Sequence, residues 1–139
     1  MKMTLREARE KYERLLNVQE LVLPAKMSYA IAYNTEKLER EVKRAERERE
    51  KLCQRYAARD ENGKILMETN IVNGRKIESY KMTDADKADF NKELEDLFDT
   101  DAEIDIRMIP ENDICEMGKD ARYNILSVTQ RRALMFMTN

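Results

Sequence analysis

Residues 25–59, AKMSYAIAYNTEKLEREVKRAEREREKLCQRYAAR, decide how the rest of this chain is arranged. The stretch has no glycine and no proline and is rich in Glu, Lys, Arg, Leu and Ala, which predicts one long helix. At about 1.5 Å rise per residue it spans on the order of 50 Å, more than a compact domain of this size covers by itself. Other elements must therefore pack along it. Ile31, Leu38, Ala45 and Leu52 recur at sevens, with Val42 and Tyr56 four residues after two of them, and this makes a coiled-coil-like seam.

Working outward, Thr4 followed by Glu7 is a capping box that starts an earlier helix. Leu5, Ala8, Tyr12, Leu15 and Leu16 fall on one face of it at three- and four-residue steps. Pro24 stops that segment and lets the chain reverse, so the two helices are expected to form an antiparallel hairpin. The first helix is about half as long as the second. The distal half of the seam must then be covered by later elements or by a second copy.

Beyond the long helix, Asp60-Glu61-Asn62-Gly63 is a turn cluster. Residues 65–72 and 75–82 flank Asn73-Gly74, a dipeptide suited to a two-residue β-hairpin turn because both positions tolerate positive φ. Thr83 is an N-cap with Asp84 and Asp86 behind it, so a third helix runs to about Phe98. Its stripe of Phe90, Leu94, Leu97 and Phe98 is expected at the heart of the core. Ile104, Ile106 and Met108 alternate with polar residues and predict a third strand joining the hairpin, ended by Pro110. Residues 110–124 are assigned to a loop with one helical turn at most. Ser127 with Gln130 starts a last short helix carrying Val128, Leu134, Met135 and Met137.

These elements predict an α+β, mainly helical fold in one domain, residues 1–139, with a helical arm at 1–59 and a smaller α+β part at 60–139. Charged residues make up 39% of the chain, well above the roughly 25% of an average globular protein, which implies a large solvated face. No run of about eighteen apolar residues and no secretion signal is visible, so the expected location is the cytoplasm of the cell that makes it.

Histidine is absent, which removes Ser-His-Asp and Cys-His catalysis and the usual zinc sites. Cys53 and Cys115 are far apart in sequence and are expected to be free thiols, with Cys53 partly buried and inert. The acids Asp96, Asp99, Asp101, Glu103 and Asp105 lack the spacing and glycine of an EF-hand loop. No catalytic residue, metal or cofactor is therefore expected. Lys43, Arg44, Arg47, Arg49, Lys51 and Arg55 are interleaved with Glu46, Glu48 and Glu50, so direct nucleic-acid binding is not expected either.

Charge is unevenly distributed. Residues 1–82 carry 19 Lys and Arg against 14 Asp and Glu, residues 83–120 carry 4 against 14, and residues 121–139 carry three arginines and no acid. On the third helix Asp89, Glu93 and Asp96 line one side, and Asp99 and Asp101 follow. Such a surface suits a partner with a basic face, and imitates the phosphates that a nucleic-acid-handling protein binds. The partner-binding set is thus Asp89, Glu93, Asp96, Asp99 and Asp101. A homo-oligomer built through Ala45, Arg49, Leu52 and Tyr56 is the alternative use of the long helix.

Three stretches carry a resemblance: Leu23-Pro24-Ala25-Lys26-Met27-Ser28-Tyr29, Tyr56-Ala57-Ala58-Arg59-Asp60-Glu61-Asn62-Gly63, and Phe90-Asn91-Lys92-Glu93-Leu94 ahead of Ile104-Asp105-Ile106. In that order they resemble a family of small, uncharacterised phage and prophage proteins of Gram-positive bacteria. The resemblance implies a viral origin and brings no assigned activity. Taken with the acidic segment, it suggests a non-enzymatic phage protein that binds and inhibits or redirects a host protein, a nucleic-acid-handling defence component being the favoured kind. The alternative is a virion or assembly protein that oligomerises through its long helix.

Overall fold

A computed structural model describes residues 1–139. The order of elements is β1 (Lys2–Thr4), α1 (Leu5–Leu16), α2 (Ala25–Tyr56), β2 (Met67–Val72), β3 (Arg75–Tyr80), α3 (Asp84–Phe98), β4 (Asp101–Glu103), α4 (Glu111–Met117), α5 (Val128–Leu134) and a 3-10 turn (Met135–Met137). The fold is α+β. The chain forms two compact units, one of residues 1–43 and 100–139 and one of residues 44–99. The division falls inside α2, not at residue 59, because each half of that helix is covered by a different part of the chain.

In the first unit, Thr4 ends β1 and caps α1. Its hydroxyl accepts from the Glu7 amide at 3.1 Å, and the Glu7 carboxylate accepts from the Thr4 amide at 2.8 Å, completing the capping box. Such a cap contributes about 1 kcal/mol by satisfying backbone donors that the first turn leaves without partners. Ala8 and Leu15 point inward to Met27, Ile31 and Leu38 of α2, so the two helices pack as the expected hairpin. Leu16 does not join them; it is 42% exposed, because Leu15 already occupies the inward angle and the next residue is rotated about a quarter turn away. The links from α1 to α2 are held by Asn124, whose Oδ1 accepts from the Val22 amide and whose own amide donates to the Val22 carbonyl.

The last third of the chain completes this core. Ile104, Ile109, Ile114, Met117, Ala133, Leu134 and Met137 all join the cluster built on α1 and α2. The segment expected to be a loop therefore contains α4, which exists to insert Ile114 and Met117. In the final helix Leu134 and Met137 are fully buried, whereas Val128 and Met135 are 71% and 67% exposed. Val128 and Met135 are seven residues apart and so share the outer face, while Leu134, one position before Met135, is rotated about a quarter turn toward the core.

The expected third strand is corrected. β4 is only Asp101–Glu103, and it pairs antiparallel with β1, not with the hairpin, in the register Lys2↔Glu103 and Thr4↔Asp101. Its partner, Lys2-Met3-Thr4, is too short to show a strand period. Ile104 is buried and Ile106 half-buried, but Met108 is 40% exposed and Ile109 turns in instead.

In the second unit, β2 and β3 form the expected hairpin with the register Val72↔Arg75 to Met67↔Tyr80. Asn73 and Gly74 both have positive φ, 52° and 77°, the geometry whose twist matches paired strands. The turn end is open to solvent, with Ile71 73% exposed. Toward its base, backbone bonds from Leu66 to Ala58 and from Ala58 to Lys81 tie the ladder to the end of α2. α3 begins at its Thr83 cap as expected. It is not the heart of the core: Phe98 alone is buried, and Phe90, Leu94 and Leu97 are half-buried. α3 meets the far end of α2, where Tyr56 lies edge-on to Phe90 with ring centres 6.4 Å apart, and that contact shields only one side of its stripe.

Candidate functional site

The acidic face belongs to the second unit. Between Thr83 and Asp99 there are seven acids and two lysines. Asp89, Asp96 and Asp99 are exposed, on the side of α3 away from its apolar stripe. Glu93 is half-buried and already engaged: it accepts a hydrogen bond from the Tyr56 hydroxyl and lies 3.5 Å from the Arg55 guanidinium. The Tyr56 phenol is consequently raised above its ordinary pKa, since a neighbouring carboxylate that accepts its proton disfavours the phenolate. Asp101 is beyond the end of α3. It lies on β4 in the first unit and pairs with Lys2 at 3.2 Å. Of the five residues expected to bind a partner, α3 thus presents three, uses one as an anchor to α2, and does not carry the fifth.

The expected oligomerisation seam is occupied from within. Ala45 is 4% and Leu52 8% exposed in the single chain. Tyr56 packs on Phe90, and the Arg49 guanidinium lies 3.8 Å from Glu46 on its own helix. Cys53, beside this seam, is buried, and burial raises its thiol pKa. Cys115 is exposed. No group of three or more Asp, Glu or Cys side chains converges in a way that holds a metal ion. No helix is long and apolar enough to cross a membrane.

A cleft in the first unit was not foreseen. It has a volume of about 510 Å³ and lies between the start of α2, the segment leading from β4 to α4, and α4 itself. Met27, Ala30, Ile109 and Met117 make an apolar floor, with Tyr29 and Tyr123 among its walls. Over one wall lies Arg107, its guanidinium carbon 5.2 Å from the centre of the Tyr29 ring and 4.7 Å from that of Tyr33. Arg107 is held in place from below. Asn34, fully buried in α2, accepts from the Arg107 amide at 2.7 Å and donates to its carbonyl at 2.9 Å. The Tyr33 hydroxyl bonds Asp105 two residues earlier, and that bond raises the Tyr33 phenol.

The sequence contained one signal for this arrangement: Tyr29, Tyr33 and Lys37 recur at steps of four on a helix otherwise rich in charge. Arg107 could not be placed against them without the tertiary fold. Asn34 carries no local signal that sets it apart from other polar residues of a charged helix. Set against known proteins, the chain matches no family model, no curated protein and no solved structure, and the meaning of its surfaces rests on its own residues.

Proposed function

We propose that this chain is a non-enzymatic binding protein that engages a protein with a basic surface through the outer face of α3. The observation carrying this reading is that α3, fifteen residues long, buries only Phe98 and sets Asp89, Asp96 and Asp99 on its exposed side. A rigid helix carrying acids in that arrangement attracts a positively charged groove, speeds encounter and selects against acidic competitors. Tyr56 and Arg55 contribute by fixing Glu93, which holds the helix against α2. The resemblance to phage and prophage proteins supports a bacterial host protein as the partner, and a nucleic-acid-handling one fits best because it already carries a basic groove.

The test is a tagged pull-down from infected cells, comparing the wild-type chain with Asp89→Lys/Asp96→Lys/Asp99→Lys. A specific partner recovered by the wild type and lost by the triple variant, with binding that weakens as salt is raised, is the expected result. Retention of the same partner by the triple variant overturns the reading. The assembly reading has less support, since the apolar residues of the seam, Ala45 and Leu52, are covered by the chain itself.

A further inference from the structure

The cleft of the first unit carries unused binding capacity of a different kind from the acidic helix. Arg107 lies over two tyrosine rings, and its main chain is pinned by a fully buried asparagine, yet its guanidinium makes no ion pair and no hydrogen bond within the chain. A guanidinium offers a planar fork of donors matched to a carboxylate, and stacking leaves that fork's edge available. Lys26, on the same cleft, is likewise without an acidic partner. On α4, Asp113 makes no ion pair, while Glu116 is paired with Lys119 at 3.0 Å and Asp120 with Arg122 at 2.7 Å. The charged groups of the cleft lining that make no ion pair within the chain are thus two cations, Arg107 and Lys26, and one carboxylate, Asp113, beside an apolar floor.

Main-chain groups narrow the ligand further. Next to Arg107, the amide and carbonyl of Met108 have no partner in the chain, although the neighbouring Ile109 amide donates to Met137 and its carbonyl accepts from Asn139. An unpaired main-chain donor and acceptor beside a cleft suit a second polypeptide, which supplies both complements from one residue. A volume of about 510 Å³ is within the roughly 300–1,000 Å³ range of specific ligand sites.

We propose that this cleft binds a peptide segment of a partner protein in which an acidic residue, an apolar residue and a basic residue follow one another. The acid meets Arg107 and Lys26, the apolar side chain enters over Met27 and Met117, and the base meets Asp113. The peptide backbone bonds Met108. The occupant is of opposite charge order to anything the acidic face of α3 would select, so this site stands or falls independently of the function proposed above.

The experiment is selection of short randomised displayed peptides on the full-length protein, repeated on Arg107→Gln and Arg107→Glu, with the selected peptides then titrated into isotope-labelled protein by NMR. Enrichment of an acidic residue beside an apolar one is expected, with shifts centred on Tyr29, Arg107, Met108 and Met117. Arg107→Gln should weaken the selected peptides about ten- to a hundredfold, and selection on Arg107→Glu should lose the acidic preference. Asp113→Asn supplies a second readout, loss of the basic preference alone. No consensus, a consensus unchanged in Arg107→Gln, or shifts mapping elsewhere overturns the proposal. Equal displacement of the peptides by a free acetylated amino acid overturns the assignment of a peptide as occupant.

Discussion

Replacing Asn34 by leucine tests the reasoning about how the cleft is held. Asn34 is completely inaccessible to solvent, and its side-chain amide makes two long-range bonds, at 2.7 Å and 2.9 Å, to the amide and carbonyl of Arg107. Its Nδ2 also sits 3.4 Å from the Met137 sulfur. Leucine keeps the number and branching of the side-chain heavy atoms, with bulkier methyl groups, but removes both bonds, a net loss of about 1 kcal/mol each. The Arg107 amide and carbonyl are then left without the partner that replaced water. A fully buried stranded group costs about 1–3 kcal/mol. Arg107 is exposed, so water reaches part of its backbone, and the total expected is about 2–3 kcal/mol out of a stability of about 5–15 kcal/mol.

Thr35→Val is the control. Thr35 is the other buried polar residue of α2, and its hydroxyl donates to the Ile31 carbonyl one turn back, at 2.7 Å. That carbonyl keeps its helical amide partner after the substitution, so the cost is below about 1 kcal/mol. Both variants are measured by urea denaturation followed by circular dichroism, with the slope m unchanged as the condition for comparing them. If Asn34→Leu costs no more than Thr35→Val, Asn34 is not what holds the Arg107 segment against α2.

Three other outcomes are expected. Leu38→Ala, which empties a fully buried position of the first unit's core, should cost about 2–5 kcal/mol in the same denaturation assay, while Ile71→Ser at the exposed hairpin end should cost less than about 0.5 kcal/mol; similar losses for both would contradict the placement of the core. A thiol reagent at neutral pH should modify Cys115 rapidly and Cys53 only on unfolding, because Cys53 is buried and its thiol pKa is raised, and equal rates would be inconsistent with that burial. The Tyr80 phenol, which bonds Glu50, is raised like that of Tyr56. Because the folded value lies above the unfolded one, the stabilisation is complete below pH 10.0 and is lost as pH climbs through the raised folded value. Ring-carbon NMR titration should place both midpoints above 10.0, and a midpoint at or below it would remove the carboxylate bonds from the account.

Local structure was legible in the residues because its causes are local. The capping boxes at Thr4 and Ser127, the N-cap at Thr83 and the Asn73-Gly74 turn act within a few residues, through hydrogen bonds and φ preferences that the side chains themselves carry. The seam of Ile31, Leu38, Ala45 and Leu52 was equally visible, since helical periodicity shows which face is buried. It does not show what buries it. That was decided by contacts between residues far apart in sequence: the α1 hairpin and the closing segments cover the first half of α2, while α3 meets the end of the second. Pairing of β4 with β1 across about a hundred residues, and the seating of Arg107 on Tyr29 and Tyr33 by a buried Asn34, likewise have no local signature. The charge and periodicity of this chain therefore determined its long helices, its β-hairpin and its acidic helix, and only the tertiary structure, through non-local burial, decided the pairing of β4, the place of α4, which apolar stripes are covered and where a pre-positioned cation meets a cleft.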